Sequence, residues 1–224
     1  MRSFYSLLIT LGTPFALAYF AFRGLRDPAY LSRWNERFGF IPVHGQPGGI
    51  WLHAASVGEF NAASPLIKAL LKAYPEIPLT VTTLTPTGSE RVKHELDDRV
   101  THSYIPIDLV GAVRRFLKRL QPRLIIVMET EIWPNLYLQS KQLNIPLLMA
   151  NARLSSRSVR HFQRLPGLAE QVLQTVTWVG AQSKADADHL ISCGARAQSV
   201  DITGNIKFDL AVRASLDEQA IALR

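Results

Sequence analysis

Short apolar runs alternate with amphipathic stretches from Gly49 onward. The runs Ile50–Ala55, Leu79–Leu84, His102–Ile107, Leu124–Glu129, Ile145–Ala150, Thr177–Ala181 and Ser199–Thr203 have the length and composition of buried strands. Helical patterns follow most of them. Phe60, Ala63, Ile67, Leu70 and Tyr74 share one helical face. Leu109, Val113, Phe116 and Leu120 share another, with Asp108 as its expected cap. Pro65 falls inside the first pattern, so that helix either begins near Ser64 or is kinked there. Strands alternating with helices predict an α/β domain: a parallel sheet covered by helices on both faces. In a doubly wound sheet of order 3-2-1-4-5, the first and fourth strands are neighbours. The chain leaves them toward opposite faces, and a crevice opens at their C-terminal ends.

The N-terminus has a different pattern. Phe4 to Phe22 carries no charge over 19 residues, just enough to cross a bilayer. Arg2 precedes it, and Arg23, Arg26, Arg33 and Arg37 follow. Aromatic residues and arginines stand where a signal peptide would have a small-residue cleavage site, so residues 1–25 read as a retained membrane-anchoring segment. The positive charge on its C-terminal side places the body of the protein in the cytoplasm. Gly12 and Pro14 weaken the middle of the helix, leaving three arrangements open: spanning, lying in the interface, or turning back. A core helix of the domain is the competing reading. Residues 26–48 end in Pro42, Gly45, Pro47 and Gly48 and read as an irregular link to a domain over 49–209. Residues 210–224 start a further helical pattern, as a linker toward another domain would.

Composition narrows the partners. A formal charge of +7 implies an anionic one: nucleic acid, a membrane surface or a phosphorylated substrate. No nucleic-acid recognition motif is present, and the apolar N-terminus favours the membrane. Cys193 is the single cysteine, so no internal disulfide can form, and no Cys/His cluster has zinc spacing. The first strand–helix turn holds one glycine, Gly58, where a dinucleotide site would carry G-x-G-x-x-G. Nucleotide P-loop and G-x-S-x-G signatures are likewise missing from the sequence. Neither a metal nor a cofactor is expected.

The crevice topology selects the candidates. "HAASVGEFN" (His53–Asn61) leads from the first strand into a helix. Ser56 and Glu59 have capping-box spacing, and Glu59 also stands where a catalytic group is expected. Glu129, in "VMETEIWPN", ends the fourth strand; Glu131 reads as a partner of the helix dipole and Trp133 as core. "TPTGSE" (Thr85–Glu90) either holds a phosphate or sugar through groups such as Thr87 and Gly88, or is an ordinary N-cap. Arg153, Arg157, Arg160 and Arg164 share a face if their segment is helical; such a row is a solvated surface or a phosphate contact. "RRFLKR" (Arg114–Arg119) reads as the outer face of its helix.

"RWNERFGF", "HAASVGEF", "TVTTLTPTGSERV", "METEIWPN", "NARLSSRS" and "TGNIKFD", in this order and spacing, resemble the N-terminal half of 3-deoxy-D-manno-octulosonic acid (Kdo) transferases. The resemblance covers nearly the whole chain. It implies the Rossmann-like acceptor domain of a GT-B glycosyltransferase, which inverts the anomeric centre and needs no metal. The implied donor is CMP-Kdo, the acceptor is the lipid A precursor, and the place is the cytoplasmic side of the Gram-negative inner membrane. By the same resemblance Glu59 is the general base, while Glu129 and Lys207 stabilise the transition state. Ser56, Gly58, Thr87, Gly88, Arg153, Arg157 and Arg160 are the expected acceptor contacts. The implied donor site lies mostly in a C-terminal domain past Arg224, so residues 1–224 alone are expected to be inactive. A membrane-tethered binding module of the same fold, without chemistry, is the alternative.

Overall fold

The computed structural model describes residues 1–41, 47–163 and 166–209. Its centre is a seven-stranded parallel sheet of order β3-β2-β1-β4-β5-β6-β7. The strands are β1 (Ile50–His53), β2 (Leu79–Thr83), β3 (Thr101–Tyr104), β4 (Leu124–Met128), β5 (Leu147–Ala152), β6 (Trp178–Ala181) and β7 (Val200–Ile202). Each overlaps its expected run, although β3 starts at Thr101 and β5 continues past Ala150 to Ala152, and the first five take the expected order. β1 pairs with both β2 and β4, aligning Leu52 with Val81 and with Ile126.

Period-two alternation sends the central strands to two cores. Trp51, Ile125 and Val127 face one, with Phe116 and Tyr137. Leu52, Ile126 and Met128 face the other, with Phe60 and Ile67. The rings of Trp51 and Phe116 meet at 4.7 Å, inside the range of favourable aromatic pairs. Helix α3 (Val57–Ala73) covers β1 and begins well before Ser64, with Pro65 inside it. Helices α4 (Pro86–Leu96), α5 (Val110–Leu120) and α6 (Pro134–Gln142) follow β2, β3 and β4. Helices α7 (Ser156–Gln163) and α8 (Pro166–Leu173) follow β5, and α9 (Lys184–Ser192) follows β6.

Asp108 does not cap the helix that follows it. The N-cap of α5 is Leu109, which makes no side-chain cap. Asp108 instead reaches across to α6: Oδ2 accepts from the Asn135 N–H at 2.9 Å and Oδ1 from the Leu136 N–H at 2.9 Å. Pro134 opens that helix and Trp133 offers no capping oxygen, so the donors are met from another loop.

The stretch read as an irregular link is also different where the structure describes it. Pro28–Leu31 forms a 3₁₀ turn, and Trp34–Arg37 forms the short helix α2. Glu36 and Arg37 are buried. Arg33 grips Glu36 with two N–H groups at 2.7 and 2.9 Å, and Glu36 accepts the Tyr104 N–H at 2.9 Å. Tyr104 belongs to the edge strand β3, so Glu36 satisfies a donor that no neighbouring strand reaches. Glu36 is buried because Arg33 pairs with it, and the Arg37 guanidinium lies against the Phe20 and Tyr104 rings; hydropathy reveals neither.

Helix α1 (Arg2–Gly24) lies against the domain instead of forming part of its core. The Tyr5 hydroxyl donates to Asp108 at 2.9 Å, Ser6 donates to Asn135 at 3.0 Å, and the Phe20 ring lies 4.4 Å from the Arg37 guanidinium. Contacts near both ends hold the helix along the domain surface. Its other face exposes Phe4, Leu7, Leu11, Phe15 and Phe22. Such an unbroken apolar face marks a contact surface.

Asp108 holds two helix donors and one hydroxyl, so Asp108→Ala is expected to lower unfolding free energy by about 2–4 kcal/mol. Denaturant unfolding of the variant measures this. A change within the spread of ordinary surface substitutions would show that water replaces the carboxylate without cost.

Candidate active site at the C-terminal edge of the sheet

The strand ends bring together the β1–α3 loop, the β4–α6 loop and the turn after β7. In the first loop Ser56 caps α3, accepting the Glu59 N–H at 3.2 Å. Glu59 answers: Oε2 accepts the Ala55 N–H at 2.8 Å, and Oε1 accepts from the Ser56 hydroxyl at 3.3 Å. The capping geometry therefore fixes the carboxylate, and a cap does not exclude chemistry. Burial raises the Glu59 pKa from its ordinary value, and the carboxylates of Glu131 and Glu129 add to it. The Ala55 N–H and His53 oppose the shift, but do not reverse it. Gly58 is exposed, and a methyl there would meet only Ser56 Oγ at 3.8 Å. The fold does not require that glycine; the space above it is open.

Glu129 ends β4 with a φ of 53°, a left-handed value that non-glycine residues rarely adopt. The turn buries its carboxylate between two cations: Arg153 Nε stands 2.9 Å from Oε2, and Lys207 Nζ 3.4 Å from Oε1. Asn151, one strand over, is also left-handed with φ 55°. Its side-chain oxygen accepts the Ile206 N–H at 3.1 Å, which seats the 3₁₀ turn Ile206–Asp209 carrying Lys207. Strained backbone at adjacent strand ends is a feature of functional sites.

His53 and Glu131 complete the group. His53 is fully buried at the end of β1. Its Nδ1 lies 2.9 Å from the Thr82 hydroxyl and 3.1 Å from the Thr82 carbonyl. Its Nε2 has no hydrogen-bond partner among the described residues and stands 3.8 Å from Glu131 Oε2. Trp133 Nε1 donates to Glu131 at 3.1 Å. Sequence reasoning passed over His53 and Asn151, although both fall in the quoted motifs. Their signal was available: a His at the end of the first strand, and an Asn beginning "NARLSSRS" at the end of the fifth.

The remaining candidates divide. Thr85 caps α4, and its hydroxyl accepts the Gly88 N–H at 3.2 Å, so that donor is used internally. A methyl at Gly88 would meet Thr83 Cβ at 3.0 Å, so the glycine lets α4 pack on β2. Thr87 is exposed beside it. The arginines do not form one helical row. Strand β5 runs to Ala152, and Ser155 accepts the Ser158 N–H, so α7 starts after Arg153. Arg153 turns to Glu129, whereas Arg157 and Arg160 are exposed on α7. Arg164 lies outside the described residues. Among the described residues, no group of three or more His, Cys, Asp and Glu side chains could hold a metal ion.

Chemically, the edge offers an oriented carboxylate in Glu59 whose pKa is raised by burial, which makes it a better proton acceptor than an ordinary carboxylate. Beside it, Arg153 and Lys207 are half-exposed cations fixed on Glu129, suited to charge developing on a bound anion.

Known proteins agree with this architecture. Neisseria meningitidis UDP-GlcNAc 2-epimerase, bound to UDP-GlcNAc, superposes with a TM-score of 0.56 at 17% identity, covering 78% of this chain and 51% of the epimerase. The Staphylococcus aureus MnaA–UDP co-structure gives 0.53 at 18% identity, covering 76% and 51%. At such identities the likeness shows the fold alone, a Rossmann-like parallel sheet with flanking helices. Sequence relatives are nearer. A 3-deoxy-D-manno-octulosonic acid transferase of Haemophilus influenzae is 40% identical over all of this chain and 53% of its own length. One of Bordetella pertussis is 36% identical over 88% of this chain and 43% of its own. A probable mitochondrial one of Arabidopsis thaliana is 38% identical over 67% of this chain and 34% of its own. The chain thus spans about half the length, or less, of these relatives. The family model described as 3-Deoxy-D-manno-octulosonic-acid transferase (kdotransferase) matches residues 32–210, and with that match the chain belongs to the Kdo transferase family.

Proposed function

We propose that residues 1–224 form the acceptor-binding side of an inverting glycosyltransferase that moves Kdo from CMP-Kdo to the lipid A precursor. Family membership supports sugar transfer. The single observation that carries the mechanism is Glu59: a carboxylate oriented by Ala55 and Ser56 at the sheet's C-terminal edge, its pKa raised by burial. In the proposed step the acceptor oxygen bonds to the anomeric carbon of Kdo. The bond from that carbon to the CMP phosphate breaks on the opposite side, which inverts the centre. The acceptor proton passes to Glu59, and CMP leaves with the electron pair.

Lys207 offsets negative charge on the Kdo carboxylate or the leaving phosphate, and Glu129 holds Lys207 in place. Arg153 shares that carboxylate from the acceptor side. Ser56, Gly58 and Thr87 line the acceptor's approach, and Arg157 and Arg160 meet phosphates of the acceptor or the bilayer. Gly88 contributes through packing. The donor is held mainly by the part of the protein that the relatives carry beyond this match, so residues 1–224 alone transfer no Kdo. The outward face of α1 rests in the cytoplasmic leaflet of the inner membrane, aided by basic residues next to it.

In a version of full family length, Glu59→Gln is expected to lower turnover by roughly 10²- to 10⁴-fold without loss of folding. Purified residues 1–224 serve as the inactive control. Near-normal turnover of Glu59→Gln would leave Glu59 as a capping residue and assign the base to another group.

The pH profile gives a second test. Transfer needs ionised Glu59, so the rate falls as pH drops through its raised pKa. Glu131→Gln removes a like charge that raises this pKa, so the acidic limb should move to lower pH. A limb that stays in place would assign the ionisation to another group.

For the membrane, replacing Phe4, Leu7, Leu11 and Phe15 with Ser should release the protein into the soluble fraction while its near-UV circular dichroism is kept. These side chains are exposed in the folded chain, so the fold loses little. Persistent membrane binding after all four changes would reject the interfacial role of this face.

A further inference from the structure

Between α1 and the sheet edge lies an open groove of about 330 Å³, within the range of about 300–1,000 Å³ typical of small-molecule sites. One wall is α1, through residues such as Ile9, Gly12 and Ala16. The other is built from the loops after β2, β3 and β4, including Leu84, Ile105 and Trp133. The lining is almost wholly apolar. A side chain placed at Gly12 would meet nothing within 4 Å, so the glycine opens volume in the middle of the helix.

The groove has one unmatched polar feature. Its Thr13 hydroxyl donates to the Ile9 carbonyl at 2.7 Å, and Asp108 is engaged by α6 and Tyr5. Arg37, only 1% exposed, also lines it. The Phe20 and Tyr104 rings each lie 4.4 Å from its guanidinium carbon, and one terminal nitrogen donates to the Leu84 carbonyl at 3.1 Å. Its Nε has no partner among the described residues. Glu36, the nearby carboxylate, is gripped by Arg33. A buried cationic donor without an acceptor is costly, and an oxygen brought by a ligand removes the cost.

We propose that this groove holds one acyl chain of an anionic amphiphile, with an oxygen of its head region on Arg37 Nε and its hydrocarbon along α1. The inference rests on the reading that the acceptor is a lipid, and makes the chain's occupant a part of that acceptor. Two observations place it there. Trp133 walls the groove and also bonds Glu131 in the carboxylate cluster, and Leu84 directly precedes the Thr85 cap. The opposite face of α1 is the exposed apolar one, so the helix that walls the groove also lies at the lipid surface. The groove draws the head of the amphiphile toward Glu59 and leaves its other chains in the bilayer.

Bromine quenches tryptophan at contact, and Trp133 is in place to report it. The probe is ω-bromoundecanoate, titrated into the whole chain held soluble in amphipol, with Trp133→Phe identifying the signal of that residue. Saturable quenching of Trp133 is expected. Each methylene removed from the probe should weaken binding roughly fourfold. Gly12→Leu fills the groove and should weaken binding roughly tenfold or more at unchanged circular dichroism. Ala16→Leu is the second filling variant, and the chain-length series on the unaltered protein stands by itself if both fail to fold. Unsaturable or absent quenching, no dependence on chain length, or equal affinity in a folded filled variant would overturn the proposal. Glu59→Gln should bind the probe normally. Loss of the groove therefore leaves the assignment of Glu59 standing, and loss of that assignment leaves the groove measurable.

Discussion

The Glu129 carboxylate, held between Arg153 and Lys207, is the interaction on which the candidate site depends. It joins three segments far apart in the chain: the end of β4, the loop after β5 and the turn after β7. A left-handed backbone at Glu129 turns the side chain into that position, and a second one at Asn151 seats the turn that brings Lys207. A buried carboxylate alone would be costly, and two exposed cations would wander. Each resolves the other, and the result is a fixed positive edge beside an open crevice.

This pairing also separates the roles of the acids. Glu129 has cations within contact distance and serves as an anchor. Glu59 has only a backbone donor and a hydroxyl, and burial with neighbouring like charges pushes its pKa upward against the Ala55 N–H. Two carboxylates at one sheet edge thus have different surroundings, one held between two cations and one held by a backbone N–H and a hydroxyl. The helix N-terminus under Glu59 acts against this, since its dipole favours the anion. Burial and the charges of Glu131 and Glu129 outweigh the opposing Ala55 N–H and His53 in the net direction.

Much of the sheet was legible because buried parallel strands read as apolar runs between helical periods. Trp51, Leu52, Ile125 and Ile126 declare themselves by hydropathy alone. The crevice followed from strand order, and with it the placing of Glu59 and Glu129. What hydropathy could not show is polar matching across space. Asp108 was assigned to its own helix because capping is ordinarily local, yet its donors lie in α6. Arg33, Glu36 and Arg37 read as part of an irregular link because hydropathy does not show that Arg33 pairs with the buried Glu36 or that aromatic rings enclose Arg37. Arg153 was grouped with Arg157 by spacing, whereas β5 runs long enough to leave it outside the helix. His53 ends β1 and Glu131 lies in the loop after β4, and nothing local to either announces the other.

The most direct test of the account is a double-mutant cycle between Glu129 and Lys207, read as kcat/KM for Kdo transfer in a protein of full family length. If Glu129 acts by holding Lys207, Glu129→Gln and Lys207→Met each lower kcat/KM strongly, and the double variant is little worse than the more damaged single one. Losses that multiply independently would contradict the account, because the two side chains would then act on the reaction separately and the pair would not be the anchor of the site.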